Sequence, residues 1–315
     1  MSRVTIIGTG YIGASIGLGL KAQNPGLEIV GHDREYSKAG EAKKIGALDR
    51  ADWNLPSALE GAGLVIIATP LAAVERLLSQ IGEFLEPGCV VTDTAMLKAP
   101  VLGWADRFLS SRASFVGGHP ILRRGTLDLK PAAATFQGGT YCVVPALNAP
   151  DEAVDQVIRL ARVLGSEPLF LDAVEHDSFI ASADQLPSIL ATSLVSLAMR
   201  KGAWRDGQRL AGEVFGAATL LALNDPAEHQ VSWIENREML LRSIGGIQEE
   251  LGEIARLLEA GSADELQATL DTLRNLRAEF QPATRAEPQS PAPEVPRARD
   301  QWSGWLFGGL RGRRP

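Results

Sequence analysis

The sequence is short of the residues that build disulfide frameworks and metal sites: its 315 residues include two cysteines and four histidines. Cys89 and Cys142 each sit in an apolar, β-type run with no metal-ligand spacing between them. This predicts two buried thiols and excludes a disulfide-stapled domain or a zinc ribbon. Long apolar runs are also missing, because Gly, Thr or a charged residue interrupts each one well before the ~18 residues of a membrane span. The start, MSRVTII, enters a strand-like run with no basic stretch ahead of an apolar signal segment, and the expectation is a cytoplasmic protein without a membrane span. Positive charge is not in excess either: 31 Lys and Arg against 38 Asp and Glu give a net charge of −7. That balance argues against a nucleic-acid partner, and the two basic clusters, Arg123-Arg124 and the extreme C-terminus, are too short to reverse it. What is present is a 45% hydrophobic, 22% charged chain, long enough for two globular domains.

The patterning changes twice along the chain. Through about residue 172, the runs VTIIG, EIVGHD, LVIIAT, CVVTD, SFVGGH, TYCVVP and PLFLD alternate with helical segments. This predicts βαβ units on a doubly wound, mostly parallel sheet, an α/β domain of Rossmann type over residues 1–172. From 173 to 280 the spacing is helical throughout. Asp172 with Glu175 forms a capping-box pattern, Asn224-Asp225-Pro226 reads as a break and a new start, and Gly261 reads as a C-terminal stop. Leu240, Ile244, Ile247, Leu251, Ile254 and Leu258 mark one helix face that needs a partner. Leu266, Leu270, Leu273 and Phe280 can supply it in an antiparallel hairpin, and a second subunit can supply more. Residues 281–315 hold six of the eighteen prolines and are predicted to be a disordered tail.

GTGYIG, residues 8–13, follows a predicted strand and opens a predicted helix, and Asp33 ends the next strand twenty residues after Gly13. That is the context a dinucleotide fingerprint requires. Gly8 permits the tight turn, Gly10 lets the backbone approach a pyrophosphate, and Gly13 lets helix and strand pack closely, while the N–H groups opening the helix at Tyr11 and Ile12 meet the negative charge. The Asp33 carboxylate can accept both ribose hydroxyls and would repel a 2′-phosphate, so the cofactor expected is NAD; the neighbouring Arg34 weakens that preference. Thr69 and Thr94 close strand-like runs and complete the cofactor-side candidates.

A bound nicotinamide needs a group that handles a proton. His32 flanks the adenosine side, and His176 and His229 fall in the first turns of predicted helices, where a solvated or capping role is the default. His119 differs, since it ends SFVGGH between Gly118 and Pro120 at a strand terminus. A neutral imidazole there can accept a hydroxyl proton as hydride leaves the same carbon. The alternative is a strand-end histidine bonded to backbone.

FVGGHPI, the EHD at Glu175 to Asp177 and NDPAEHQVSWIENRE together resemble the prephenate/arogenate dehydrogenase family of tyrosine biosynthesis over residues 3–280. The most specific matches are Gly8, Gly10, Gly13, Ser15 and Gly17 for GxGxxGxSxG and Gly117 to Pro120 for GGHP. The resemblance implies a Rossmann domain followed by an all-helical domain that forms a homodimer. It also implies a small anionic substrate, His119 as the catalytic residue on the ring hydroxyl, and loss of the ring carboxylate as carbon dioxide while the ring becomes aromatic. Three positions depart from the family. Met96 replaces the serine of Asp-x-x-Ser-x-Lys, here Asp93 to Lys98, that assists the histidine. Ala183 to Ser188 lacks both histidines of Ser-His-Leu-Pro-His, and Leu220 stands where an arginine grips a substrate carboxylate. Lys98, Gln185 and Ser188 are the remaining substrate-side candidates, and Arg123 and Arg124 are the expected replacement for the arginine, against the alternative of a solvated loop pair. Two other readings stay open. One is a different Rossmann-plus-helices dehydrogenase with a lysine base, for which Lys201, alone beyond Lys130, is the candidate. The other is a non-catalytic NAD-binding relative.

Overall fold

Alternating strand and helix signals produce an alternating fold. The computed structural model describes residues 3–109, 113–122, 130–200 and 204–279, so Arg123, Arg124, Lys201, Phe280 and the proline-rich segment from 281 lie outside the described residues. Among the described residues the strands are β1 (Arg3–Ile7), β2 (Ile29–His32), β3 (Arg50–Ala51), β4 (Ala62–Ile67), β5 (Cys89–Asp93), β6 (Ala113–Ile121), β7 (Thr140–Pro145) and β8 (Glu167–Phe170). They form one sheet in the order β3-β2-β1-β4-β5-β6-β7-β8, parallel throughout except between β6 and β7. All seven expected runs become strands. β3 was not expected, because two residues are too few to carry a period.

Helices α1 (Tyr11–Gln23), α2 (Tyr36–Lys44), α3 (Leu55–Leu59), α4 (Leu71–Ile81), α5 (Ala99–Phe108) and α6 (Asp151–Val163) connect or flank these strands. Ile6, Ile16, Ile29, Ile66, Val116, Tyr141 and Leu160 belong to one buried cluster that fixes the sheet to its helices. The strand order reverses between β1 and β4, which opens the crevice where doubly wound sheets bind ligands. Both cysteines are buried and free of disulfides. Burial, aided by Glu86, pushes the Cys89 thiol up to about 12, so it stays protonated and inert.

The chain divides into two units between Ala173 and Val174. α7 (Ala173–Ile180) opens directly after Asp172 and runs through a π-helical turn, Ala181–Gln185, into α8 (Leu186–Arg200). Then follow α9 (Trp204–Gly207), α10 (Glu213–Thr219), a 3₁₀ turn (Leu220–Leu223), α11 (Pro226–Glu235), α12 (Arg237–Ala260) and α13 (Ala263–Glu279). Asp225 caps α11 by accepting from the Ala227 N–H at 2.9 Å, and Gly261, left-handed at φ +64°, ends α12. The α12 stripe, however, is not covered by the antiparallel helix. Leu240 is buried, but Leu251, Ile254 and Leu258 are 55%, 40% and 62% exposed, and Leu270 and Leu273 of α13 are exposed as well. Among the described residues nothing closes this apolar face. Among the described residues, no helix is long and apolar enough to cross a membrane.

Candidate active site

β1 ends where Gly8 turns the chain at φ +90°. A β-carbon there would overlap the Ala68 carbonyl oxygen and lie 2.8 Å from Thr69 Cγ2, so glycine is what lets the turn pass beside the end of β4. A β-carbon on Gly13 would overlap the Gly8 carbonyl oxygen. Gly10 differs, since a β-carbon on it would meet no atom of the described residues within 4 Å. Gly10 is also the N-cap of α1 and offers no side-chain bond. The first-turn N–H groups of Tyr11 and Ile12 therefore have no intrahelical acceptor and border open space.

Asp33 follows β2, and its carboxylate is already oriented. Oδ2 accepts from the Thr9 N–H at 2.8 Å and the Thr9 hydroxyl at 3.1 Å, and Oδ1 accepts from the Glu35 N–H at 2.9 Å. An ionised carboxylate offers about four lone-pair sites, so Oδ1 keeps capacity for a ribose hydroxyl. Thr9 escaped the sequence reading, although its place between two fingerprint glycines puts it opposite the second strand. The Thr69 hydroxyl is buried beside the Gly8 turn with no hydrogen-bond partner among the described residues. Thr94 follows β5, with its N–H on the Ile67 carbonyl at 3.0 Å, and Arg34 is exposed. An open glycine, an orphaned hydroxyl and a pre-oriented carboxylate fit a dinucleotide. We expect NAD to bind at least about tenfold tighter than NADP in calorimetric titration, ~1.4 kcal/mol, because a 2′-phosphate would face Asp33. Equal affinities would contradict this and would mean that Arg34 offsets the repulsion from Asp33.

His119, half-buried, lies near the carboxyl end of β6 and directly opposite Cys142 of β7. β5 pairs with β6 only as far as Thr92 and Val116. The backbone of Gly118, two residues further on, has outrun its strand neighbour, and two side chains take the place of the missing strand. Asp93 Oδ1 accepts from the Gly118 N–H at 3.0 Å, and Lys98 Nζ donates to the Gly118 carbonyl at 2.7 Å. Lys98 also pairs with Asp93 Oδ2, which accepts from the Ala95 N–H at 2.9 Å. Both charged side chains are fully buried. The two glycines before His119 make this possible. A β-carbon on Gly117 would sit 3.1 Å from Lys98 Cδ, and one on Gly118 would sit 2.6 Å from both the Asp93 carbonyl oxygen and the Tyr141 hydroxyl. Burial raises the Tyr141 phenol and keeps it protonated. Lys98, expected on the substrate side, is thus placed in the interior, and Met96 is half-buried in the turn between the paired residues.

Gly8, Gly10, Gly13, Asp33, Thr69, Thr94 and His119 all lie at the carboxyl edge of the parallel strands. Gln185 and Ser188 belong to the helical unit, where both are buried. Gln185 Nε2 donates to the Ser232 carbonyl at 3.0 Å, while its Oε1 accepts from Asn236 Nδ2 at 2.7 Å. Asn236 Nδ2 also donates to the Asp177 carbonyl at 2.9 Å. Of the solvated or capping role expected for His176, the solvated alternative fails: it is 1% exposed, with Nδ1 2.7 Å from Asp177 Oδ1. A first-turn position says nothing about which side of a helix faces inward. His229 stacks on Trp233 at 4.9 Å, and Leu220 is half exposed at the start of the 3₁₀ turn. Gln185 closes the π-helical turn, a feature common at functional sites and invisible in hydrophobic periodicity.

Comparison with known proteins gives a consistent result. The family model for the prephenate dehydrogenase nucleotide-binding domain matches residues 16–167, and that for the prephenate dehydrogenase dimerization domain matches residues 172–272. Prephenate dehydrogenase of Bacillus subtilis is 29% identical over 279 residues, 87% of this chain and 75% of the relative. That of Lactococcus lactis is 29% identical over 266 residues, 81% and 71% of the two chains. Among solved structures, A. aeolicus prephenate dehydrogenase in complex with hydroxyphenyl propionate and NAD+ superposes with a TM-score of 0.81 at 22% identity, covering 89% of this chain and 99% of the other. Synechocystis arogenate dehydrogenase gives 0.76 at 22% identity, covering 89% and 100%. At these identities the solved structures speak to the fold.

Proposed function

The chain belongs to the prephenate dehydrogenase family, and from that premise we propose that it catalyses the NAD-dependent oxidative decarboxylation of prephenate or arogenate. The observation that carries the proposal is the placement of His119 on the carboxyl edge of the sheet, the same edge that carries the open Gly10 turn, the oriented Asp33 and the unpartnered Thr69 hydroxyl.

Bound NAD supplies the hydride acceptor. In this chain the Gly8–Gly13 turn and the N–H groups of Tyr11 and Ile12 would hold its pyrophosphate, and Asp33 would hold a ribose hydroxyl. His119 takes the proton of the ring hydroxyl as hydride leaves the same carbon. The bond to the ring carboxylate then breaks, its electron pair enters the ring, and carbon dioxide departs. Aromatisation drives this step, and the proton held by His119 returns to the phenol oxygen. The open apolar face of α12 and α13 supports a homodimer through the helical unit, in keeping with the dimerization domain it matches. Gln185 and Ser188, both buried in that unit, are proposed as further substrate-side residues.

Prephenate is a dianion, and Leu220 offers no charge to its carboxylates. Arg123 and Arg124, four and five residues after His119, are the proposed cations. At least one of Arg123→Ala and Arg124→Ala is expected to raise the KM for the acid by about 10-fold with NAD affinity unchanged, and wild-type kinetics in both would remove them from the site. The function itself is tested by following NADH formation from each acid in turn. Turnover of either supports the reading, and turnover of neither contradicts it.

A further inference from the structure

We propose that the buried Asp93–Lys98 pair positions His119, an assignment that rests on the reading of His119 as the proton acceptor. The Gly118 carbonyl belongs to the peptide that joins Gly118 to His119, and the Gly118 N–H belongs to the peptide before it. Lys98 holds the first at 2.7 Å and Asp93 the second at 3.0 Å, so on the edge away from β7 both peptides leading to the imidazole are held by one ion pair. No backbone of β5 performs this task, because its pairing with β6 ends at Val116. Gly118 cannot carry a side chain to do so either, given the Asp93 carbonyl and the Tyr141 hydroxyl 2.6 Å from where its β-carbon would be.

The geometry also sets which face the pair serves. Side chains of a strand alternate, so Gly117 and His119 share a face of β6. The Lys98 stem lies in the slot left by Gly117, 3.1 Å from its missing β-carbon, and it therefore approaches on the histidine's side of the sheet. Met96, in the turn that links the pair, has a thioether that accepts hydrogen bonds only weakly.

A buried ion pair is a poor source of stability, because desolvation offsets the attraction. Two charges sequestered under a strand end, each spending a bond on the same glycine, serve geometry better than they serve folding free energy. A displacement of about 1 Å at a reacting group is enough to cost ~100-fold in rate. The pair is thus expected to appear in kcat and not in KM, which distinguishes a positioning role from contact with the substrate.

The test compares full-length wild type, Lys98→Met, the double variant Asp93→Asn/Lys98→Met and His119→Ala in steady-state turnover of prephenate and arogenate, with NAD affinity by calorimetry and melting temperature recorded for each. The single variant leaves one charge buried alone and risks unfolding; the double variant removes both charges and keeps the test alive. The expected result is a folded double variant with NAD affinity and KM within about threefold of wild type and kcat lowered by about 30-fold or more. A folded uncharged variant with wild-type kcat, beside an inactive His119→Ala, overturns the positioning role alone. Unchanged kcat with a raised KM overturns it in favour of substrate contact. Near-wild-type turnover by His119→Ala overturns both this role and the histidine's. Failure of both Lys98 variants to fold overturns it too, because the pair would then serve the fold.

Discussion

His119→Ala is expected to lower kcat by about 100-fold or more while NAD affinity stays within about twofold of wild type, because a positioned general base contributes ~100- to 10,000-fold. The expectation has a structural basis beyond residue type. His119 sits two residues from the end of β6, half-buried, on a strand end held by Asp93 and Lys98 on one edge and by β7 on the other. Its removal leaves an alanine in a strand that tolerates one, so the loss should fall on chemistry. Steady-state turnover with calorimetric NAD binding separates the two. A kcat within tenfold of wild type would point to a different base, with Lys201 the first alternative to substitute.

The second large effect is a contrast between two glycines three residues apart. At Gly13 a β-carbon would overlap the Gly8 carbonyl oxygen and stand 3.1 Å from Ile6 Cγ2. Gly8 cannot yield, since its N–H is bonded to the His32 carbonyl at 2.9 Å and its φ of +90° admits little else. Gly13→Ala should therefore damage the nucleotide-binding unit itself, lowering the melting temperature and abolishing measurable NAD binding. At Gly10 the backbone is extended, φ −68° and ψ −159°, which alanine adopts freely, and the β-carbon meets nothing within 4 Å. Gly10→Ala should melt like wild type yet bind NAD about 30-fold or more weakly, because the methyl group meets no atom of the described residues and would strike the ligand. Wild-type affinity in Gly10→Ala would mean that the pyrophosphate lies elsewhere.

Much of the fold could be read from the residues because the signals were local. Seven β-runs, the glycine turn, the Asp225 cap and the Gly261 stop each state their structure within a few positions. The features that escaped depend on what faces what. The ladder-completing pair of Asp93 and Lys98 requires knowing that β5 ends before β6, and the Thr9 bond to Asp33 requires two strands side by side. The inward turn of His176, the π-helical turn at Gln185 and the bareness of Leu251, Ile254 and Leu258 are likewise products of packing. An apolar stripe states that a partner is needed and not which one. Arg123 and Arg124 lie outside the described residues, and their role stays with the kinetics proposed for them.

In the proposed reaction, oxidation at the ring hydroxyl and loss of the ring carboxylate follow one another within a single turnover. Simultaneous measurement of NADH and carbon dioxide from wild-type enzyme, prephenate or arogenate, and NAD tests it most directly. The two products are expected in equal amounts and at equal rates, and both rates are expected to fall together by about 100-fold or more in His119→Ala. NADH without an equivalent of carbon dioxide would contradict it.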